Sequence, residues 1–181
     1  MKISGHTSKM LLWACLIIST FVMTGTAHAT DQKDLAVAEK TLPLLQDKLS
    51  GNVNVAIIYD PAVSTSKADA DAIKAALEGN SSAAGATLVP VMVTPTELSK
   101  LGQAKLALVA YGMKTSFDAI ATAAATSGTL TISADLECVK ANKCVLGVVS
   151  SPTVDIYYSK TAADAGKIVF APAFTMLVKQ I

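Results

Sequence analysis

The sequence predicts an α/β domain of three layers, a mostly parallel sheet with helices on both faces and a C-terminal antiparallel hairpin. Three observations predict it. Between residues 53 and 133, apolar runs of strand length alternate three times with helical patterns. Such alternation implies right-handed crossovers and a parallel sheet. The later part of Val-Asn-Val-Ala-Ile-Ile-Tyr (53–59) is apolar on both faces, as in a strand covered on both sides. After Cys144, two apolar runs (145–150 and 154–158) stand only three residues apart across Ser151-Pro152-Thr153, the spacing of a hairpin.

Residues 1–29 read as an export leader. Lys2 and Lys9 flank the start of an apolar stretch over 10–22, and Ala27-His28-Ala29 is a small-x-small cleavage site. The chain is therefore expected to be exported and the mature form to begin at Thr30. The apolar stretch is shorter than the ~20 residues that span a bilayer. Leu12-Trp13-Ala14-Cys15 loosely matches a lipid-attachment motif, but apolar sequence continues past Cys15 and Trp13 fits poorly. Residues 30–181 remain as a single domain, long enough for a sizeable core.

Residues 34–49 carry Leu35, Ala38, Leu42, Leu45 and Leu49 on one helical face. The Pro43 ring would clash with the carbonyl of Glu39, so a kink or two short helices are expected. The strand at 53–59 ends at Asp60-Pro61. A helix is expected over 67–78, with Ser66 and Asp69 spaced as a capping box and Ala68, Ala72, Ile73, Ala76 and Leu77 as its buried stripe. Gly79-Asn80 closes it. Residues 81–85 read as a flexible loop and 87–93 as the second strand. Thr94-Pro95-Thr96-Glu97 opens a short helix that ends at Gly102. The third strand is 105–111. A helix runs from Thr115 to Thr126, Gly128 stops it, and 130–133 is the fourth strand. Cys138-Val-Lys-Ala-Asn-Lys-Cys144 is a loop. A short helix and a terminal helix follow the hairpin.

Composition excludes much chemistry. The chain has no Arg, and both His6 and His28 belong to the leader. Lys2 and Lys9 leave with it, so thirteen Lys face fourteen acidic residues, a net charge of −1. Without clustered cations the domain is not expected to bind nucleic acid. Without His, Ser-His-Asp and Cys-His catalysis and imidazole metal sites are out of reach. Two Cys alone do not build a tetrahedral zinc site. The first strand ends in Asp60-Pro61-Ala62-Val63 with no glycine, so no phosphate loop and no nucleotide cofactor are expected. The domain is expected to have no cofactor, no metal and no enzymatic activity.

Three groups of residues are candidates for function. Cys138 and Cys144, in an exported chain, are expected to form a disulfide. It is either a structural staple or a redox-responsive loop, since Lys140 and Lys143 would favour thiolate. In open parallel sheets ligands sit beyond the carboxyl ends of the strands. Asp60, Thr94, Tyr111 and Asp135 occupy those positions. Asp60 and Asp135 are either a carboxylate pair or turn and cap residues. Tyr157 and Tyr158, with Phe170 and Phe174, form an aromatic group, and alternation turns one Tyr of the pair outward as a candidate partner contact.

Residues 130–177 resemble the YfiR family of small periplasmic regulators (YfiR/HmsC-like). The matching residues are the strand Leu130-Thr131-Ile132-Ser133, the Cys-bracketed loop, the strand Val154-Asp155-Ile156-Tyr157-Tyr158, and then Ala162-Ala163, Ala165-Gly166, Ile168, Phe174 and Leu177. The likeness extends weakly over 53–181 in element order. The family's aromatic-rich segment ending in Trp-Pro has no counterpart in residues 34–51. The resemblance implies a dimeric periplasmic protein that binds and represses a membrane-bound signalling enzyme, such as a diguanylate cyclase. It also implies a Cys138–Cys144 disulfide that keeps the fold competent.

Two functions are thus expected. One is a regulatory binding protein whose partner is a membrane signalling protein with a periplasmic domain, contacted through Tyr157, Tyr158, Lys140 and Lys143. The other is a small solute-binding protein, because the strand order resembles one lobe of a periplasmic binding protein.

Overall fold

The structure, a computed structural model, describes residues 29–80 and 82–181. The expected leader, apart from Ala29, lies outside the described residues. One sheet contains β1 (Gly51–Ile58), β2 (Ser82–Ala83), β3 (Ala86–Val93), β4 (Leu106–Val109), β5 (Leu130–Ser133), β6 (Leu146–Val149), β7 (Asp155–Tyr158) and β8 (Lys179–Gln180). Their spatial order is β2-β3-β1-β4-β5-β6-β7-β8. Strands β3, β1, β4, β5 and β6 run parallel. The β6–β7 hairpin is antiparallel, with Leu146 opposite Tyr158 and Val149 opposite Asp155.

Alternation along β1 sets the layers. Val53, Val55 and Ile57 face one core, while Ala56 and Ile58 face the other. The first core is covered by α1 (Gln32–Thr41), α2 (Ser64–Gly79) and the C-terminal segment with Phe170 and Phe174. The second is covered by the 3₁₀ segment Pro95–Gln103, α3 (Phe117–Ser127) and α4 (Leu136–Lys140). Helix α5 (Lys160–Gly166) follows β7 and packs by Ala163. The central strands are buried throughout, because both faces are covered. The fold class is the one the sequence predicts. No helix among the described residues is long and apolar enough to cross a membrane.

Several elements depart from expectation. Helix α1 stops at Thr41, and Leu42–Leu44 form a 3₁₀ turn around Pro43. Residues 82–83 pair with β3 instead of forming a free loop. Helix α2 begins at Ser64, three residues early, with Val63 as its cap. Its buried stripe is consequently Ser66, Asp69, Ala70, Ile73 and Leu77, while Ala68 and Ala72 are exposed. Thr94 and Glu97 form the expected capping box, but the segment they open is 3₁₀. The Cys-bracketed loop contains the end of α4. There is no terminal helix. Pro172–Met176 make a 3₁₀ turn, and β8 pairs in parallel with β7. The chain end thereby satisfies the backbone groups that β7 would leave open at the sheet edge.

The C-terminal segment is tied on both sides. The Ala171 amide donates to the Leu44 carbonyl at 2.7 Å, and the Gln46 amide donates to the Val169 carbonyl at 2.9 Å. Thus the turn after α1 and the tail after α5 hold each other against the sheet.

Candidate functional site

The strand order reverses between β1 and β4, the place where doubly wound sheets open a ligand crevice at their carboxyl ends. Here that crevice is filled. Gly112 adopts φ +82°, and a Cβ placed on it would lie 3.3 Å from Thr65 Oγ1 and 3.4 Å from a methyl of Val63. This close approach needs glycine. It brings the loop after β4 onto the first turn of α2. Met113 is buried there, and the Ser66 hydroxyl donates to its sulfur at 3.3 Å.

Beneath the loop lies Asp69, 2% exposed. Its Oδ2 accepts the Tyr111 amide at 2.7 Å and the Thr30 hydroxyl at 3.0 Å, and its Oδ1 accepts the Thr30 backbone nitrogen at 2.6 Å. The N-terminal segment continues across the edge. Asp31 and Asp34 form a capping box on α1, with the Asp34 amide donating to Asp31 Oδ1 at 2.7 Å. Asp34 Oδ1 also accepts the Ser150 amide, at 2.8 Å, at the end of β6. The backbone amide of Asp34 holds the Asp31 carboxyl below its ordinary value. Residues 30–34 therefore lie over the strand ends like a bar. The cavity left between Thr30, Ile73, Leu108, Ile132, Ser133 and Val148 is about 10 Å³, room for one water at most. An open pocket of about 300 Å³ remains on the outer side of the bar, lined by Asp31, Asp34, Ala134, Val149, Ser150 and Ser151.

The four strand-end candidates are spent on local structure. The Asp60 carboxylate accepts the Ala62 amide at 2.8 Å, and its own amide donates to Ser66 Oγ at 3.0 Å. Asp135 caps α4 through the Glu137 amide at 3.0 Å, and burial raises its carboxyl above the ordinary value. Strand β4 separates β1 from β5, so Asp60 and Asp135 follow strands that are not neighbours in the sheet. That placement supports the turn-and-cap reading over a carboxylate pair. Thr94 serves its own cap, and Tyr111 contributes its backbone. The residue that organises this edge, Asp69, was missed as a site residue. The available signal was an acidic residue at helical spacing with Ile73 and Leu77, but its spacing from Ser66 matches a capping box equally well.

The hairpin edge is different. Tyr157 is half-buried, with Lys179 Nζ 5.5 Å and Lys140 Nζ 5.8 Å from its ring centre. Lys179 also pairs with Asp155 at 2.8 Å, and that bond raises the Lys179 ammonium above its ordinary value. So Lys140 and Tyr157 stand beside each other. Lys143 instead turns to Asp118 on α3, at 2.6 Å. Tyr158 is buried edge-on against Phe170 and Phe174, and burial raises its hydroxyl above the ordinary value. Tyr158 is a core residue and not a surface contact, so its truncation would test packing.

Cys138 and Cys144 are disulfide-bonded with Cα atoms 5.2 Å apart, and both residues have zero exposure. Thiol exchange needs access to a sulfur. The burial therefore favours the staple over the redox-responsive loop. Replacing both by Ala is expected to cost about 2 kcal/mol in the loop-entropy account, lowering Tm by about 6 °C. Native protein in mild reductant should label no thiols. Two labelled thiols without loss of fold would restore the redox reading.

The largest groove lies at the opposite, amino edge, with a volume near 670 Å³. Its walls include Asn52, Lys105, Ser127 and Lys167.

No family model and no curated protein matches the chain. Solved structures do. A conserved domain protein from Vibrio cholerae superposes with TM-score 0.59 at 12% identity. An ABC domain in complex with L-Trp from Streptococcus pneumonia superposes with TM-score 0.58 at 13% identity. Each match covers 82% of this chain and 59% of the other. The chain thus spans about three fifths of the length of the structures it matches. At such identity the likeness establishes the fold alone.

Proposed function

We propose that this is an exported binding protein that works by contact with another protein, as the resemblance to the YfiR family implies. Its partner is a membrane signalling protein with a periplasmic domain, which it represses, and it acts as a homodimer without catalysis. The observation that carries this reading is the filled crevice at the ends of β1 and β4, where the strand order reverses. Where a solute would sit, the chain places its own residues 30–34 and the loop around Gly112.

The hairpin edge supports the same reading. It offers Tyr157 between two lysines, and the neighbouring segments expose Val154, Met176 and Leu177 at 59%, 86% and 65%. An aromatic ring flanked by cations and apolar side chains suits a protein surface bearing carboxylates. Tyr157→Ala is expected to cost about 1–2 kcal/mol, since the ring is half-buried against the second core, and to relieve repression without unfolding the domain. Photo-crosslinking from position 157 in intact envelopes should capture a membrane protein with a periplasmic domain. Unchanged signalling and no crosslinked membrane protein would defeat the proposal.

The second reading, a solute-binding lobe, draws on the L-Trp complex of the Streptococcus structure and on the amino-edge groove. Native mass spectrometry of envelope-purified protein discriminates. A stoichiometric small molecule would favour this reading.

A further inference from the structure

We infer that the α-amino group of Thr30, freed when the leader is cut after Ala29, is itself an anchoring group of the fold. As an ammonium it pairs with the buried Asp69 carboxylate and fastens residues 30–34 across the carboxyl edge. The inference rests on the export reading, and it adds a structural role for the cleavage.

Two independent observations meet at one atom. The leader's small-x-small motif, Ala27-His28-Ala29, places the cut before Thr30. The Thr30 backbone nitrogen lies 2.6 Å from Asp69 Oδ1. Asp69 is 2% exposed, and among the described residues no Lys forms an ion pair with it. The other donors to Asp69, the Tyr111 amide and the Thr30 hydroxyl, are neutral. A buried carboxylate needs compensation, and hydrogen bonds from neutral groups supply only part of it.

Cleavage changes the chemistry at this atom. Before it, the Thr30 nitrogen is a peptide amide with one hydrogen. After it, the same nitrogen is an ammonium with three hydrogens and a positive charge. The contact to Asp69 becomes a charge-assisted bond, roughly twice as strong as a neutral one. Sterics at this atom do not distinguish the two states, because Ala29 is exposed. The difference lies in charge. What it anchors matters, since Thr30 leads into Asp31 and Asp34, which hold Ser150 at the end of β6. The segment that fills the crevice is thus secured at one end by Asp69 and at the other by Ser150.

The test compares three chains with defined N-termini: one beginning at Thr30, one beginning at Ala29, and the Thr30 chain with its amine acetylated. The Thr30 chain should melt about 3 °C above the other two. In Asp69→Asn backgrounds that difference should vanish. If Asp69→Asn fails to fold, the acetylated chain with native Asp69 still decides. Equal Tm for all three chains would overturn the inference. Intact mass of protein from the envelope reads the cleavage site separately. A first residue other than Thr30 would overturn the inference, because the Thr30 amine would not be freed, whereas protein that keeps residues 1–29 would defeat the export reading.

Discussion

Phe174→Ala should cost about 3–5 kcal/mol, the usual range for emptying a fully buried aromatic site. Phe174 has zero exposure. It stacks on Phe170 with ring centres 3.9 Å apart and meets Tyr158 edge-on at 5.4 Å. These three rings are where the C-terminal segment closes on the sheet. The site cannot collapse easily, because Phe170 is also bridged to Leu45 after α1. Removing the ring should lower Tm by about 10 °C and loosen residues 167–181, exposing the outer edge of β7. Urea titration by circular dichroism reads the stability, and hydrogen exchange at Ile181, whose amide donates to the Tyr158 carbonyl, reads the tail. Phe174→Leu should keep most of the stability. A loss below about 1 kcal/mol for Ala would mean that the tail does not dock in solution.

Gly147→Val should cost about 3 kcal/mol, the upper end of ordinary overpacking. Gly147 lies in the middle of β6, directly beneath α4. A Cβ there would come within 2.4 Å of Val139 Cγ1 and 2.9 Å of Leu136 Cδ2. Val139 is fully buried, and its neighbour Cys138 is fixed by the disulfide, so α4 has little room to shift. The strain should therefore appear in the Cys-bracketed segment. Thermal melting measures the loss. Reduction of the disulfide under native conditions should become measurable in the variant, because lifting α4 uncovers Cys138. A Tm within 1 °C of the parent would show that α4 is not packed on β6 in this way.

Much of this molecule was legible as a string. Alternating apolar runs determined the strands, their covered faces and the parallel sheet, because burial on two sides demands apolar residues at every position. Turn and cap chemistry marked the stops at Gly79 and Gly128 and the capping box at Thr94, because these depend on residues a few positions apart. The opposite facing of Tyr157 and Tyr158 followed from the two-residue period of a strand, but the packing of Tyr157 on the second core did not. Which ring joins the aromatic cluster did not follow either, since that depends on where Phe170 and Phe174 return to the sheet.

The tail illustrates the same limit. Its helical-looking apolar residues form a 3₁₀ turn and an edge strand, because β7 presented unpaired backbone groups that only the folded sheet creates. Asp69 is the sharpest case. Local spacing read it as a partner for Ser66 in a helix cap. In the fold it faces inward and is met by Thr30 and Tyr111, 39 and 42 residues away. The sequence by itself determined the layers, the hairpin and the Cys pair, through periodicity and short-range geometry. Only the tertiary structure decided that the chain's own N-terminal segment crosses the carboxyl ends of the strands, because that contact joins residues whose meeting no local pattern encodes.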